Sequence, residues 1–290
     1  MSKSFSGVIT ALVTPFKDGA LDLNSFRRLL KRQLDDGIQG FVVNGTTAES
    51  PTLTVDEVKT LFLVAKAEVA GQVPIIIGTG SNSTAATCEF TRLVCTLKPD
   101  GILVVVPYYN KPPQRGLVAH FKQVAAHSDV PLVLYNVPGR TVANMVPATV
   151  AELAQVDRIV GIKDATGDLK VLAELRAAVQ PGFTLLSGDD GSCVDFCRQG
   201  GHGVIAVASQ VIGQEMVTAV KRPHDLAESY RTKHADLLHW LYIESNPIPV
   251  KMALHWMGIL DSPEMRLPLV ALEQTHHKDF KKCLEKLGKL

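Results

Sequence analysis

The chain has 290 residues, 46% hydrophobic and 20% charged, with a formal net charge of +1; this is globular composition, rich enough to bury a large core. No basic block stands out, which argues against nucleic-acid binding through phosphate neutralisation, and the longest apolar runs, such as ILVVVP, are too short to cross a bilayer. MSKSFSGVITALVTPF lacks the apolar core and cleavage site of a secretory signal, and the five cysteines are odd in number with no CxxC, so a reduced, cytoplasmic protein is expected.

Short apolar runs alternate with longer amphipathic ones along the chain. GVITALVTP (7–15) reads as a strand, and Leu23 to Leu34 as a helix with Phe26, Leu29, Leu30 and Leu34 on one face. GFVVNGTT (40–47) is the next strand, followed by a helix that opens at Thr54 with Glu57 in capping-box position. VPIIIGTGS (73–81) precedes a helix over Ser83 to Leu97, and DGILVVVPYY (100–109) one over Gly116 to Ala126. VPLVLYNVP (130–138) and RIVGIKDATG (158–167) follow, the latter leading into a helix from Leu169 to Val179. FTLLSGDD (183–190), a helix over Gly191 to Arg198, and HGVIAVAS (202–209) complete the series.

Runs so continuously apolar suit strands buried on both faces. Eight βα units of about thirty residues, with no linker, predict a TIM (β/α)8 barrel over residues 1–222. An open doubly wound sheet would call for GxGxxG after the first strand, and none is present. Beyond residue 222 the pattern is helical only: Pro223 to Tyr242, Pro249 to Met257 and Ala271 to Leu287. Residues 223–290 are expected to pack as an appendix on the barrel or on a neighbouring subunit.

A barrel of this kind gathers its chemistry at the C-terminal ends of its strands. Thr14, Asn44 to Thr47, Thr79, Tyr108, Tyr109, Tyr135, Asn136, Arg140, Lys163, Gly188, Asp189 and Asp190 all fall there. Lys163 is the least expected, an amine closing an apolar run. Burial disfavours the charged ammonium, and a neutral amine adds to a ketone to form a Schiff base; an ion pair with Asp164, or escape to solvent, is the plainer alternative. Tyr135, on the adjacent strand, is a candidate proton shuttle or simply core. Thr46 and Thr47 offer hydroxyls and amides for a carboxylate, or ordinary turn chemistry. Arg140 carries a fork that matches a second carboxylate, with surface solvation as its alternative. Glu49, Asp189 and Asp190 read as capping or solvated acids. NPIPVK (246–251) reads as a helix start, Cys193 and Cys197 as core, and His276–His277 lacks the spacing of a metal site.

Taken together, GTTAES (45–50), PYYNKP (107–112), YNVPGRT (135–141), GIKDATG (161–167) and LLSGDDGS (185–192) resemble the dihydrodipicolinate synthase (4-hydroxy-tetrahydrodipicolinate synthase) family. This family belongs to the pyruvate-dependent class I aldolases, which include N-acetylneuraminate lyase. The resemblance runs from about Gly7 to Pro268. It implies a lyase of lysine biosynthesis that condenses pyruvate with L-aspartate 4-semialdehyde, with no cofactor and no metal. Lys163 would form the Schiff base, Tyr135 would donate and accept protons, and Thr46 would relay them with a Tyr109 contributed across a dimer interface. Thr47 and the backbone at Ile205 would seat pyruvate, Arg140 would bind the semialdehyde carboxylate, and Gly188 would line the site. A homotetramer, a dimer of dimers, is implied. A lyase for a bulkier sugar-derived 2-oxo acid, or a non-enzymatic 2-oxo acid binder, stays open as an alternative.

Two departures from the family pattern stand out. Ala48 replaces the glycine that usually follows the threonine pair, and would be strained if that position needs positive φ. Val55, Val58 and Ala86 stand where lysine-inhibited members carry histidines and a glutamate. Asn82 and Tyr108 remain as a remnant of the effector site, and weak or absent inhibition by lysine is expected.

Overall fold

Eight parallel strands close on themselves in the computed structural model, which describes residues 5–290. β1 (Gly7–Ala11) is followed by a small hairpin, β2 (Phe16–Lys17) and β3 (Ala20–Leu21), and by α1 (Leu23–Asp35). Then come β4 (Gly40–Val43), α2 (Val55–Val69), β5 (Ile75–Gly78), α3 (Thr84–Cys95), β6 (Gly101–Val105) and α4 (Gln114–Ala125). β7 (Leu132–Asn136) leads through the one-turn α5 (Pro138–Thr141) and α6 (Pro147–Leu153) to β8 (Ile159–Asp164) and α7 (Leu169–Ala178). β9 (Thr184–Ser187), α8 (Cys193–Arg198), β10 (Gly203–Ala206) and α9 (Ser209–Lys221) complete the barrel. Neighbouring strands pair in chain order, and β10 pairs with β1 to close the ring.

The alternation of a strand explains the continuous apolar runs. Ile9, Val42, Ile76, Leu103, Val133, Leu186 and Ile205 fill the lumen. Val8, Phe41, Ile75, Ile77, Ile102, Leu134, Ile162 and Val204 face the helices. Both faces are covered, so neither needs polar residues, and the polar ones collect at the strand ends.

The hairpin β2–β3 escaped the sequence reading. Its strands are two residues long, and Asp18-Gly19, both at positive φ, makes the turn. After residue 222 the chain forms α10 (Pro223–Leu241), α11 (Ile248–Trp256) and α12 (Gln274–Lys286), within a few residues of the predicted spans. α10 packs on α8 and α9, and α11 on α9, so this tail lies against the barrel's last two helices.

Candidate active site

Lys163 projects into the mouth of the lumen. Strand register sets it beside Tyr135 and beside Leu186, and its neighbour Asp164 beside Asn136. Tyr135 belongs to the lumen cluster, so Lys163 points inward and Asp164 points to the helices. Asp164 is engaged there: its carboxylate accepts from Asn136 Nδ2 at 3.0 Å and from the Thr166 hydroxyl and amide. The ion pair between Lys163 and Asp164 therefore does not form. Nor does the lysine escape to solvent, since it is 6% exposed with Nζ 4.3 Å from the centroid of the Tyr135 ring. Gly188 makes the space it occupies: a Cβ there would stand 2.8 Å from Lys163 Cε.

The threonine pair is held by a short 3-10 turn over Thr46–Ala48 at the exit of β4. Thr14 Oγ1 donates to the Ala48 carbonyl at 2.8 Å, and the Ala48 amide donates to the Gly45 carbonyl at 3.0 Å. Ala48 lies inside that helical turn and carries no positive φ; the left-handed position is the next residue, Glu49, at φ 58° and ψ 40°. The position needs no positive φ, so the condition under which Ala48 would be strained is not met. Glu49 is likewise not a solvated loop acid. Its carboxylate meets Lys251 Nζ at 2.7 Å with both side chains sealed from solvent, and accepts the Arg266 amide at 3.0 Å. Desolvation pushes the Lys251 pKa down against the pull of Glu49.

A cavity of about 730 Å³ is lined by Thr46, Thr47, Tyr135, Arg140, Lys163 and Gly188, so six residues from four separate strand exits meet in one space. A second cavity of about 470 Å³ shares Thr46, Tyr135 and Arg140 and runs outward between Val55, Val58, Ala86, Phe90 and Tyr108. Ile205 sits in the lumen cluster and does not line either space. Asn82 accepts a hydrogen bond from Asn110 through its carbonyl and lines neither. Tyr109 is 87% exposed at φ 76° and lines neither of these two cavities.

Of the acids at the β9 exit, Asp189 caps as expected, accepting from the Ser192 amide at 2.8 Å and hydroxyl at 2.6 Å. Asp190 departs from expectation. It is 1% exposed, and accepts from the Ala208 amide at 2.7 Å, the Val207 amide at 3.2 Å and the Tyr242 hydroxyl at 2.8 Å. Burial pushes its carboxyl up to about 6.

The residues missed from sequence come from the tail. Asn246 lines the cavity, donates from Nδ2 to Thr47 Oγ1 at 2.9 Å, and accepts on its carbonyl from Arg140 Nη2 at 3.2 Å. Its only local signal was a polar residue before Pro247, at a place read as a helix start.

The described residues hold no group of three or more His, Cys, Asp or Glu set for a metal. Burial pushes the Cys197 thiol up to about 12 and the Cys193 thiol well above its ordinary value, which leaves both un-ionised. What the cavity does offer is an amine beside a phenol, flanked by hydroxyls and a guanidinium. Those groups suit covalent capture of a keto acid with proton transfer.

The sequence model of the Dihydrodipicolinate synthetase family matches residues 4–287. A 4-hydroxy-tetrahydrodipicolinate synthase from Bdellovibrio bacteriovorus is 50% identical over 292 residues, covering 99% of this chain and all of that one. Among solved structures, the chloride-inhibited dihydrodipicolinate synthase of Acinetobacter baumannii complexed with pyruvate superposes with a TM-score of 0.95 at 37% identity, over 99% of this chain and 100% of that chain. The Cyanidioschyzon merolae enzyme with lysine bound gives 0.93 at 40% identity, over 99% of each chain. By the extent of these matches and by the barrel they share, the chain belongs to the dihydrodipicolinate synthetase family.

Proposed function

We propose that this chain condenses pyruvate with L-aspartate 4-semialdehyde to 4-hydroxy-tetrahydrodipicolinate, using Lys163 as the nucleophile. Lys163 Nζ adds to C2 of pyruvate and water leaves, giving an iminium. The iminium draws electrons from the methyl group, which loses a proton and becomes an enamine. That carbon attacks the aldehyde, whose oxygen takes a proton. The semialdehyde's own amine then attacks C2, closes the ring and releases Lys163. Every proton in the sequence needs a nearby carrier, and Tyr135, whose ring lies against the amine, fills that role with Thr46, which lines the same cavity. Thr47 seats the pyruvate carboxylate, and Arg140 holds that of the semialdehyde, a geometry its fork suits.

The observation that carries this reading is the buried Lys163, set over Tyr135 while its neighbouring carboxylate is bonded elsewhere. The match to a family of synthases supports the substrate assignment. The exposed Tyr109 supports a dimer in which its ring completes a neighbour's site, within the tetramer proposed from the family resemblance. No helix among the described residues is long and apolar enough to cross a membrane, and we read the enzyme as cytoplasmic. A coupled assay with pyruvate and aspartate semialdehyde tests the function. Wild type is expected to turn over and Lys163→Ala to lose at least about three orders of magnitude, in line with removal of a nucleophile. Turnover of N-acetylneuraminate, with none of the semialdehyde, would refute the assignment.

A further inference from the structure

Tyr242–Asn246 is an irregular five-residue segment between α10 and α11, and all five residues line the 730 Å³ cavity. It is a strap across the barrel mouth, contributed by the tail. Its far end is anchored at Asn246, which touches both Thr47 and Arg140. Its near end is anchored by the hydroxyl of Tyr242, which donates to Asp190 at 2.8 Å. Asp190 is in turn fixed to the barrel by the Val207 and Ala208 amides at the exit of β10.

We infer that the Asp190–Tyr242 bond is a positioning device for the second substrate's carboxylate: it holds the strap at the depth where the Asn246 carbonyl aims Arg140 into the cavity. The inference rests on the function proposed above and adds residues to it. The two carboxylate-holding groups depend on the strap unequally. Thr47 sits in a turn pinned independently by Thr14, by the Gly45 carbonyl and by the Glu49–Lys251 pair. Arg140 lies within the one-turn α5, and among the described residues its one side-chain hydrogen bond goes to the strap. A loosened strap therefore costs Arg140 its orientation while leaving Thr47 and Lys163 in place. Asp190 and Tyr242 are positioning residues, since neither is asked to touch a reacting atom.

Steady-state kinetics of full-length Tyr242→Phe test this, with Asp190→Asn as a second, nearly isosteric variant. The expected result for Tyr242→Phe is a rise in KM for aspartate semialdehyde on the order of tenfold, the loss of one hydrogen bond to a charged group. KM for pyruvate and kcat should stay within about twofold of wild type, and borohydride should still trap pyruvate on Lys163. Asp190→Asn should raise the same KM, because an amide has fewer lone pairs to share among two backbone amides and a phenol. An unchanged KM for the semialdehyde in Tyr242→Phe would overturn the inference. So would a parallel loss in both substrates' KM and in kcat, the mark of general loosening. A wild-type enzyme that traps pyruvate but ignores the semialdehyde would instead overturn the parent assignment.

Discussion

Ala48 and Glu49 show how finely backbone conformation is placed at the single residue. Ala48 is buried inside a helical turn, and the left-handed φ falls one residue later, on a glutamate locked by Lys251. A glycine at 48 would gain no conformational relief and would lose a buried methyl. Ala48→Gly should therefore lower stability by about 0.5–1 kcal/mol in a denaturant melt, with turnover little changed. Asp190 gives a pH-dependent expectation. Its folded carboxyl, raised to about 6 by burial, faces the Tyr242 hydroxyl, the Cys193 thiol and Asp189. The folded chain holds this proton more tightly than the unfolded one. The stabilisation is thus full below the unfolded value of 3.8 and is lost as pH rises through about 6. Melts between pH 4 and 7 should show a decline on the order of 2–3 kcal/mol from this group, and Asp190→Asn should abolish it. Lys163 stood out in sequence as a lysine closing an apolar run, but an ion pair with Asp164 explained it as simply, and its role as nucleophile came from the family resemblance of the assembled motifs. Asp190 did not stand out, because an acid in a GDD turn looks the same whether it faces water or the core.

Elements of the tail do more here than pack. Arg266, just before the last helix, reaches α2 at Glu57, and Lys251 on α11 reaches the loop after β4. The Arg266 hydrogen bond holds the Glu57 carboxyl down at about 2. This contribution is present above the ordinary value of 4.5 and is lost as pH falls through about 2. At a partly exposed site it is worth about 1 kcal/mol after solvent screening, and Glu57→Gln should remove that acid-side slope in melts below pH 5. The Lys251–Glu49 pair is sealed, so removing one partner strands a buried charge. Lys251→Met should destabilise by about 3–5 kcal/mol, and adding Glu49→Gln should recover part of it. Period and capping made the helices readable from sequence; Thr54 with Glu57 forms the capping box as read. The contacts of Lys251, Asn246 and Arg266 each span about two hundred residues, a separation that no local pattern encodes.

At the scale of the whole molecule, the barrel was legible because eight apolar runs recur at one spacing and polar residues such as Tyr135, Asn136, Lys163 and Asp164 fall at the strands' C-terminal ends. The place of the tail was not, since amphipathic helices do not say which surface they cover. We propose that barrel and tail fold as one cooperative unit, because the tail supplies the partner of Glu49. A chain ending at Arg222 should show no cooperative melt by circular dichroism, whereas a separable tail would leave a folded barrel. The outward cavity bears on regulation: Val55, Val58, Ala86 and Phe90 give it an apolar wall, with no carboxylate for an effector's ammonium. Turnover should therefore hold within about twofold across millimolar lysine, the loss of a charge-assisted bond being worth more than that factor in affinity. The account as a whole stands on Lys163 capturing pyruvate covalently. Borohydride reduction in the presence of pyruvate, followed by peptide mass mapping, should add the mass of one reduced pyruvate to the peptide bearing Lys163. An active enzyme that acquires no such mass, or acquires it on another lysine, would contradict it.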